Sequence, residues 1–421
     1  MGKIGLVLAG GVAKGAYEAG VLKAMAEKDI VPDVIVGISA GAINGTFAAS
    51  AIARGVFNAE TVDEELIWLW ENKVNAQNLY DCFDADERSS IASRSLSNLF
   101  ARLGIDPLRR QYTPRIGWDT IIAFEKLVKG DFVSLITHGF LKAVLEARLF
   151  PIENVAREVV LSIVATDLGG STIFTEDGDL VPQYSHFEEF HWHNRTQAEW
   201  ESFIVRLRQL IVASSSFPFA FPPMPVEMSN GKEHFLADGG IMDCAPIGRA
   251  IRLDPEVDTL LVSLGPTMVD KPETLEPTLP AVMARVFTML AGKYLITNFR
   301  KVQQVNRKIE HLRAFLDTDK RGRVMRTRRN EDLCMAAGFA SLDQFLERRI
   351  VKLVPIFPVP SLSGDVFEGF FKPKLIRQYV KKGYEDTLGA LRDHGLVAPP
   401  AEIKPLHPRK TSRRTRVIAA E

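Results

Sequence analysis

Short apolar runs, glycine-rich turns and helical patterns alternate over the first 56 residues. Residues 3–8 form an apolar run that ends in consecutive glycines, which predicts a buried strand and a tight turn. An Ala-rich helical pattern follows at 15–28, then a second apolar strand at 34–36 and a second helix at 42–56. This order of elements predicts a βαβ unit and a mostly parallel sheet.

The next part of the chain is polar and helical in pattern, and apolar strands then return. We predict a mainly helical insertion at 60–154. Its apolar stripe fits core packing best, with a lid or a membrane-facing helix as alternatives, and consists of Leu96, Leu99, Phe100 and Leu103. The elements predicted after it are a buried strand at 159–165, its hairpin partner at 171–175, a helix at 199–212, a strand end at 236–240 and a last buried strand at 259–264.

The remaining third of the chain differs in composition. Four prolines at 266–280 predict a linker, and the pattern at 281–398 is helical and basic. Residues 399–421 are rich in Pro and Arg, which is typical of a disordered tail. We therefore divide the chain into an α/β catalytic region at 1–265, this linker, a basic helical region and a basic tail.

Composition and charge restrict the class of protein. The 421 residues are 46% hydrophobic and 25% charged, as in folded domains. The 52 basic and 52 acidic side chains cancel overall, but residues 1–265 hold 23 basic and 35 acidic ones, and residues 266–421 hold 29 and 17. We therefore expect no nucleic-acid partner, whereas the basic C-terminal third could contact an anionic membrane. The densest basic stretch, 293–329, holds twelve basic and three acidic side chains.

The start of the chain and its cysteines bear on location. No targeting pattern is visible at the N-terminus, and three distant cysteines do not form a disulfide framework. The charge-free run at 34–53 is long enough to span a bilayer, but its many Gly, Ser, Thr and Asn residues favour a strand, a turn and a helix. We expect a cytoplasmic protein, with peripheral attachment to membranes left open.

The sharpest chemical feature is a G-x-S-x-G pattern at Gly37, Ser39 and Gly41, between a predicted strand and a predicted helix. A tight strand-to-helix turn lifts a serine hydroxyl clear of the backbone, and its neighbours must be small because chain segments pass close by. The N-terminus of the next helix favours developing negative charge. The alternative is a packing turn with an incidental serine.

A second feature is the run from Gly10 to Gly15, also between strand and helix. Gly10 and Gly11 could direct backbone N–H groups to one point, as an oxyanion hole requires, and Lys14 would add positive charge. A dinucleotide fingerprint does not fit because Val12 replaces its second glycine. A phosphate-binding P-loop does not fit because Lys14 is followed by Gly15. An oxyanion loop or a plain turn remains.

A third feature is Asp238 followed by Gly239 and Gly240 at a predicted strand end. Taken alone, an Asp-Gly pair is best explained as a hairpin turn. The histidines at 186, 191 and 193 lie near Glu188 and Glu189, but without a recognisable metal-ligand pattern. We therefore predict no metal site there.

Taken together and in this order, the three features resemble the patatin-like phospholipase family. The stretches Ala165–Leu168 and Ser214–Pro218 look like that family as well, and the resemblance covers about residues 4–265. It implies a three-layer α/β/α sandwich that hydrolyses fatty acyl esters of glycerolipids without metal or cofactor. It also implies that Ser39 is the nucleophile and Asp238 the general base.

The same resemblance implies that the oxyanion is held by backbone N–H groups of Gly10, Gly11 and Val12, with Lys14, Gly37, Gly41, Gly239 and Gly240 in support. Two residues depart from the family pattern, which usually has a third glycine at Val12 and an arginine at Lys14. A β-branched residue resists left-handed conformations, so Val12 could distort the loop. The function expected is a serine lipid acyl hydrolase of the phospholipase A or lysophospholipase type. Alternatives are a lipid-binding or regulatory protein of weak activity, and an esterase or thioesterase acting on soluble substrates.

Overall fold

A computed structural model describes the chain at residues 2–74, 154–174, 180–218, 221–228, 231–243, 245–265, 279–364 and 366–398. The predicted insertion after residue 74, the linker up to residue 278 and the tail at 399–421 lie outside the described residues.

The centre of the fold is an eight-stranded mixed sheet. Its order is β5-β6-β3-β2-β1-β7-β8, and β4 also pairs with β3. Strands β1, β2, β3, β7 and β8 run parallel, whereas β4 and β6 run antiparallel to β3, and β5 antiparallel to β6. The strands are β1 (Lys3–Leu8), β2 (Val34–Ile38), β3 (Val159–Phe174), β4 (Leu180–Trp192), β5 (Met224–Glu227), β6 (Glu233–Asp238), β7 (Val257–Ser263) and β8 (Lys352–Ile356).

Helices cover both faces of this sheet, so the predicted three-layer α/β/α architecture is confirmed. One face packs against α1, α2, α5 and α11, and the other against α6 and α7. The helices are α1 (Ala16–Glu27), α2 (Ala40–Ala53), α3 (Ala59–Thr61), α4 (Trp68–Asn72), α5 (Gln197–Ser214), α6 (Ile247–Leu253), α7 (Leu279–Phe315), α8 (Arg328–Ala336), α9 (Leu342–Leu346), α10 (Glu368–Phe371) and α11 (Pro373–Asp393). A π-helical turn, Val62–Ile67, joins α3 to α4.

The predicted hairpin was wrong in its pairing. Residues 171–174 continue β3 past an irregularity between Thr166 and Ser171, and the true partner is β4, after the turn. Gly170 lies in this irregularity, where the Gln183 carbonyl of β4 leaves no room for a Cβ.

A further strand follows the one predicted to be last. β8 lies in the otherwise helical C-terminal region and pairs in parallel with β7. Pro355 is tolerated there because β8 has a partner on one side only. Helix α11 then packs closely on α1, where the backbone of Tyr17 leaves no room for a Cβ at Gly383. The mainly helical C-terminal region is therefore built onto the same sheet as the predicted catalytic residues.

Candidate active site

Ser39 occupies a strained turn between β2 and α2. Its backbone has φ 53° and ψ −124°, a left-handed conformation that L-residues rarely adopt. Glycines permit this turn, since a Cβ at Gly37 would meet the Gly41 carbonyl and one at Gly41 would meet the Leu8 carbonyl. The side chain of Ser39 lies at the N-terminus of α2 and is buried. The sequence predicted this strand–turn–helix geometry.

Asp238 ends β6 and is 3% exposed. Its Oδ1 accepts a hydrogen bond from the Gly240 N–H at 2.8 Å, and Thr166 Oγ1 donates to its backbone carbonyl at 2.8 Å. Burial raises the pKa of the carboxyl to about 6, although hydrogen bonding by the Ser39 side chain and the Gly240 N–H lowers it in part. Oδ2, by contrast, has no partner of ordinary hydrogen-bond geometry among the residues described.

The turn after Asp238 lies against the strand that leads to Ser39. A Cβ at Gly239 would meet the Val164 carbonyl and come within 3.1 Å of the Ile38 side chain. Strands β3 and β6 are paired at Ala165 and Asp238, and β3 is in turn paired with β2. The fold therefore brings the candidate nucleophile and the candidate base to the same edge of the sheet.

Three consecutive serines at the end of α5 form hydrogen bonds with Ser39 and Asp238. The Ser39 N–H donates to Ser214 Oγ at 2.9 Å, and Ser214 Oγ donates to the Val164 carbonyl at 2.6 Å. Ser215 Oγ donates to the Ser39 carbonyl at 3.1 Å. The Ser216 carbonyl accepts from the Asp238 N–H at 3.0 Å. We call Ser214–Ser216 the serine clamp. These serines resemble the family in sequence, but the sequence alone indicates no role for them.

The run from Gly10 to Gly15, which we call the glycine-rich loop, lies directly beside Ser39. A Cβ at Gly10 would come within 2.8 Å of the Ser39 Cβ, so any side chain there would displace the nucleophile. Val12 has φ 51°, hence this loop does require the left-handed conformation that a β-branched residue resists. In the described part of the chain, we find no carbonyl that accepts from the N–H groups of Gly10, Gly11 or Val12. Backbone N–H groups in such a loop can donate to a bound anion.

The C-terminal region continues the support of this loop. The Ala13 N–H donates to the Val366 carbonyl at 3.1 Å, and Lys14 Nζ donates to the Leu362 carbonyl at 3.0 Å. Lys14 is buried, at 2% exposure, and its side chain joins the glycine-rich loop to the C-terminal region. The Phe367 ring lies edge-on to Phe217, just beyond the serine clamp, at 5.6 Å between centroids.

Glu18 is a buried carboxyl group beneath the loop that sequence analysis did not single out. It is 0% exposed, and burial raises its pKa well above the ordinary value. The Asn44 side-chain amide donates to its Oε2 at 3.0 Å, and hydrogen bonding by Asn44, Ser263 and the Ala9 backbone opposes the shift. Burial therefore favours the neutral form of the Glu18 carboxyl group.

The other groups considered from sequence lie elsewhere. His186 and His191 lie beside Glu188 and Glu189 on β4, at 3.2 Å in each pair. Within the described ranges, no three His, Cys, Asp or Glu side chains are grouped as a metal site would require. The hydrogen bonds found for Asp238 there involve no histidine.

Comparison with known proteins identifies the family. A family model described as patatin-like phospholipase matches residues 6–251, more than half of the chain. The chain belongs to this family. The matched residues, its patatin domain, run from within β1 to within α6 and include Ser39, Asp238, the glycine-rich loop and the serine clamp. Family membership supports hydrolysis of lipid acyl esters in general.

Two further comparisons add little to this assignment. No curated protein matches the chain. Among solved structures, the crystal structure of VipD from Legionella pneumophila is similar at 17% identity, covering 93% of this chain and 67% of that one. Its TM-score of 0.32 is too low to inform the geometry or function of the patatin domain. Finally, none of the described helices is both long and apolar enough to cross a membrane.

Proposed function

We propose that the protein is a serine lipid acyl hydrolase of the phospholipase A or lysophospholipase type, with Ser39 as nucleophile and Asp238 as general base. The observation that carries this proposal is the Asp238 carboxylate, which is buried beside Ser39 with one oxygen lacking an ordinary partner. Buried polar atoms without partners are uncommon, and at active sites they are often groups reserved for the substrate or reaction.

The reaction proceeds in two steps. Asp238 Oδ2 accepts the Ser39 proton as the hydroxyl oxygen attacks the ester carbonyl. The N–H groups of Gly10, Gly11 and Val12 stabilise the negative tetrahedral oxygen. The proton then passes from Asp238 to the leaving alcohol as the ester C–O bond breaks, which leaves an acyl-serine. Water attacks the acyl-serine, Asp238 takes its proton, and Ser39 recovers that proton as the fatty acid leaves.

The raised pKa of Asp238 suits this role. A carboxylate with the reference pKa of about 3.9 is a weak base for an alcohol. Burial raises the pKa of Asp238 to about 6, so the group is a stronger base and is still ionised at neutral pH. Thr166 and Gly240 fix its position from either side, at the backbone carbonyl and at Oδ1.

The nucleophile is tested with a fluorophosphonate probe, which labels activated serines. We expect labelling of the native protein and none of Ser39→Ala. Ser202→Ala, at an exposed serine on α5, is the matched control and should label like the native protein. Absence of native labelling, or equal labelling of Ser39→Ala, would contradict the proposal and favour a lipid-binding or regulatory protein.

The substrate class needs a separate measurement. Fatty acid release from phospholipid vesicles is compared with cleavage of a water-soluble short-chain ester and thioester, using native protein and Ser39→Ala side by side. We expect a preference for the vesicle phospholipid. A preference for the soluble esters would exclude the phospholipase assignment while leaving the Ser-Asp chemistry intact.

We also propose that basic C-terminal residues bring the protein to anionic membranes. The charge difference between residues 1–265 and 266–421 supports this. Binding to anionic vesicles should fall with added salt and with deletion of residues 404–421, which carry six basic and one acidic side chain. If neither added salt nor the deletion changes vesicle binding, the proposal is wrong and the basic residues contribute to solubility alone.

A further inference from the structure

The first half of α7 exposes a row of large apolar side chains. These residues recur at helical spacing, so most of them project from the same side of the helix. We call them the α7 face, which consists of Val286, Met289, Leu290, Tyr294 and Ile296, between 37% and 56% exposed. Scattered apolar residues are normal at a surface, but a continuous patch marks an interaction site.

Two asparagines place this face relative to the active site. Asn306 exchanges hydrogen bonds with Val351, just before β8, at the edge where the parallel strands begin. Asn298 donates to Asp243 Oδ1 at 2.8 Å and to the Ala245 carbonyl at 3.2 Å, in the turn region that follows Asp238. From Asn306 back to Asn298, α7 therefore runs from the edge of the sheet where the parallel strands begin to the edge that carries Ser39 and Asp238.

The α7 face lies farther along the helix than Asn298, on the side away from Asn306. A helix rises about 1.5 Å per residue, so Val286 lies about 18 Å past Asn298 along the helix axis. Leu295 is buried against the sheet and fixes the helix at this level. The exposed apolar side chains therefore project at the same end of the molecule as Ser39 and Asp238.

Basic side chains accompany the α7 face. Helix α7 contains seven basic residues and one acidic residue. Lys293, Arg300 and Lys301 are exposed, and no ion pair is found for them within the described chain. The basic cluster that follows α7 differs, because three of its arginines are paired, in Arg323–Asp319, Arg326–Asp343 and Arg329–Asp317.

We propose that the α7 face docks on the surface of an anionic phospholipid bilayer. Its apolar side chains enter the boundary between headgroups and acyl chains, and Lys293, Arg300 and Lys301 contact lipid phosphates. Complementary charge favours this partner over an uncharged apolar surface. The position of the face at the active-site edge directs that edge toward the membrane. The orientation matters for catalysis only if the proposed function is correct, whereas docking itself requires no hydrolysis.

The test uses full-length protein carrying Ser39→Ala, so that vesicles are not consumed. Cosedimentation is measured with vesicles of equal parts phosphatidylcholine and phosphatidylserine, and with phosphatidylcholine alone. We expect binding to the mixed vesicles, and at least about a tenfold weaker binding when Met289→Glu and Leu290→Glu are combined. Lys293→Ala should weaken binding about fivefold.

The control is Val205→Glu, which places one negative charge at an apolar position on α5 that is as exposed as Met289, and it is compared with Met289→Glu alone as well as with the double variant. It should bind the mixed vesicles like the parent protein. Circular dichroism and the melting temperature establish that each variant is folded. Unchanged binding by the folded double variant would overturn the proposal, as would absence of binding by the parent, which would favour a protein partner for this face. Loss of fluorophosphonate labelling in the native protein would contradict the proposed function but not this docking.

Discussion

Replacing the candidate base should stabilise the protein while abolishing its activity. In Asp238→Asn, Oδ1 still accepts from the Gly240 N–H, and the new amide faces the oxygen of Ser39, which can accept a hydrogen bond. The variant removes only the charge that burial disfavours. Where a buried charge is retained for catalysis at the expense of stability, its removal raises the stability of the protein and lowers the rate of the reaction.

The size of the effect follows from the pKa shift. Burial raises the pKa of Asp238 from 3.8 in the unfolded chain to about 6. Between these values the native state binds more protons than the unfolded state, so stability falls as pH rises through this window. At 1.36 kcal/mol per unit, the ionised carboxylate costs about 1.5 kcal/mol at pH 5 and about 3 kcal/mol at pH 8. The gain in unfolding free energy of Asp238→Asn over the native protein should therefore be larger at pH 8 than at pH 5 by the difference between these two costs.

Urea unfolding of the native protein and Asp238→Asn at both pH values measures this difference. Other groups that titrate in this range, such as Asp243 with its pKa raised to about 6, cancel because both proteins contain them. A variant that is less stable at pH 8, or a difference that does not change with pH, would refute the reasoning about burial. In the native protein, kcat/KM should rise through about pH 6, and retention of activity by the variant would refute the role of general base.

Three further substitutions address the support of the site. Gly41→Ala should destabilise the protein by at least about 2 kcal/mol in urea unfolding, because its Cβ would run into a backbone carbonyl of β1, whereas Gly389→Ala, at an open position in α11, should be neutral or stabilising. Ser214→Ala leaves the Ser39 N–H without its acceptor, so we expect a loss of about 1–3 kcal/mol in stability together with slower labelling by fluorophosphonate; unchanged labelling would show that the clamp does not position the nucleophile. Val12→Gly relieves a left-handed strain of about 1–2 kcal/mol, but the unfolded chain gains a comparable backbone entropy. The melting temperature and the rate should therefore both stay close to native values. A hundredfold slower rate would mean that the valine side chain itself is needed.

The elements around the site were predictable because their signals are local. Apolar runs that end in glycine mark β1 and β2, and both candidate catalytic residues lie in turns where glycine permits close backbone approach. The strand β4 escaped prediction because its polar positions, including Glu188 and Glu189, resemble a surface segment. The strand β8 escaped because it is short and contains Pro355.

The contacts that support the site could not be read from sequence, because many of them use the backbone. The Val366 and Leu362 carbonyls accept from the glycine-rich loop, and any residue type supplies a carbonyl. The serine clamp joins α5 to two strand ends that are remote in sequence. Only the folded chain shows that Ser214 and Ser216 contact the candidate nucleophile and base.

The pairing of β7 with β8 has a consequence for biosynthesis. When the ribosome has completed β7, this strand lacks its outer neighbour β8, and the glycine-rich loop lacks the carbonyls of Leu362 and Val366. An unpaired strand edge is a template for association with other chains. The nascent protein must therefore keep this edge from aggregating until residues far downstream emerge. A recombinant fragment ending at Gly265 would remain in that vulnerable state permanently.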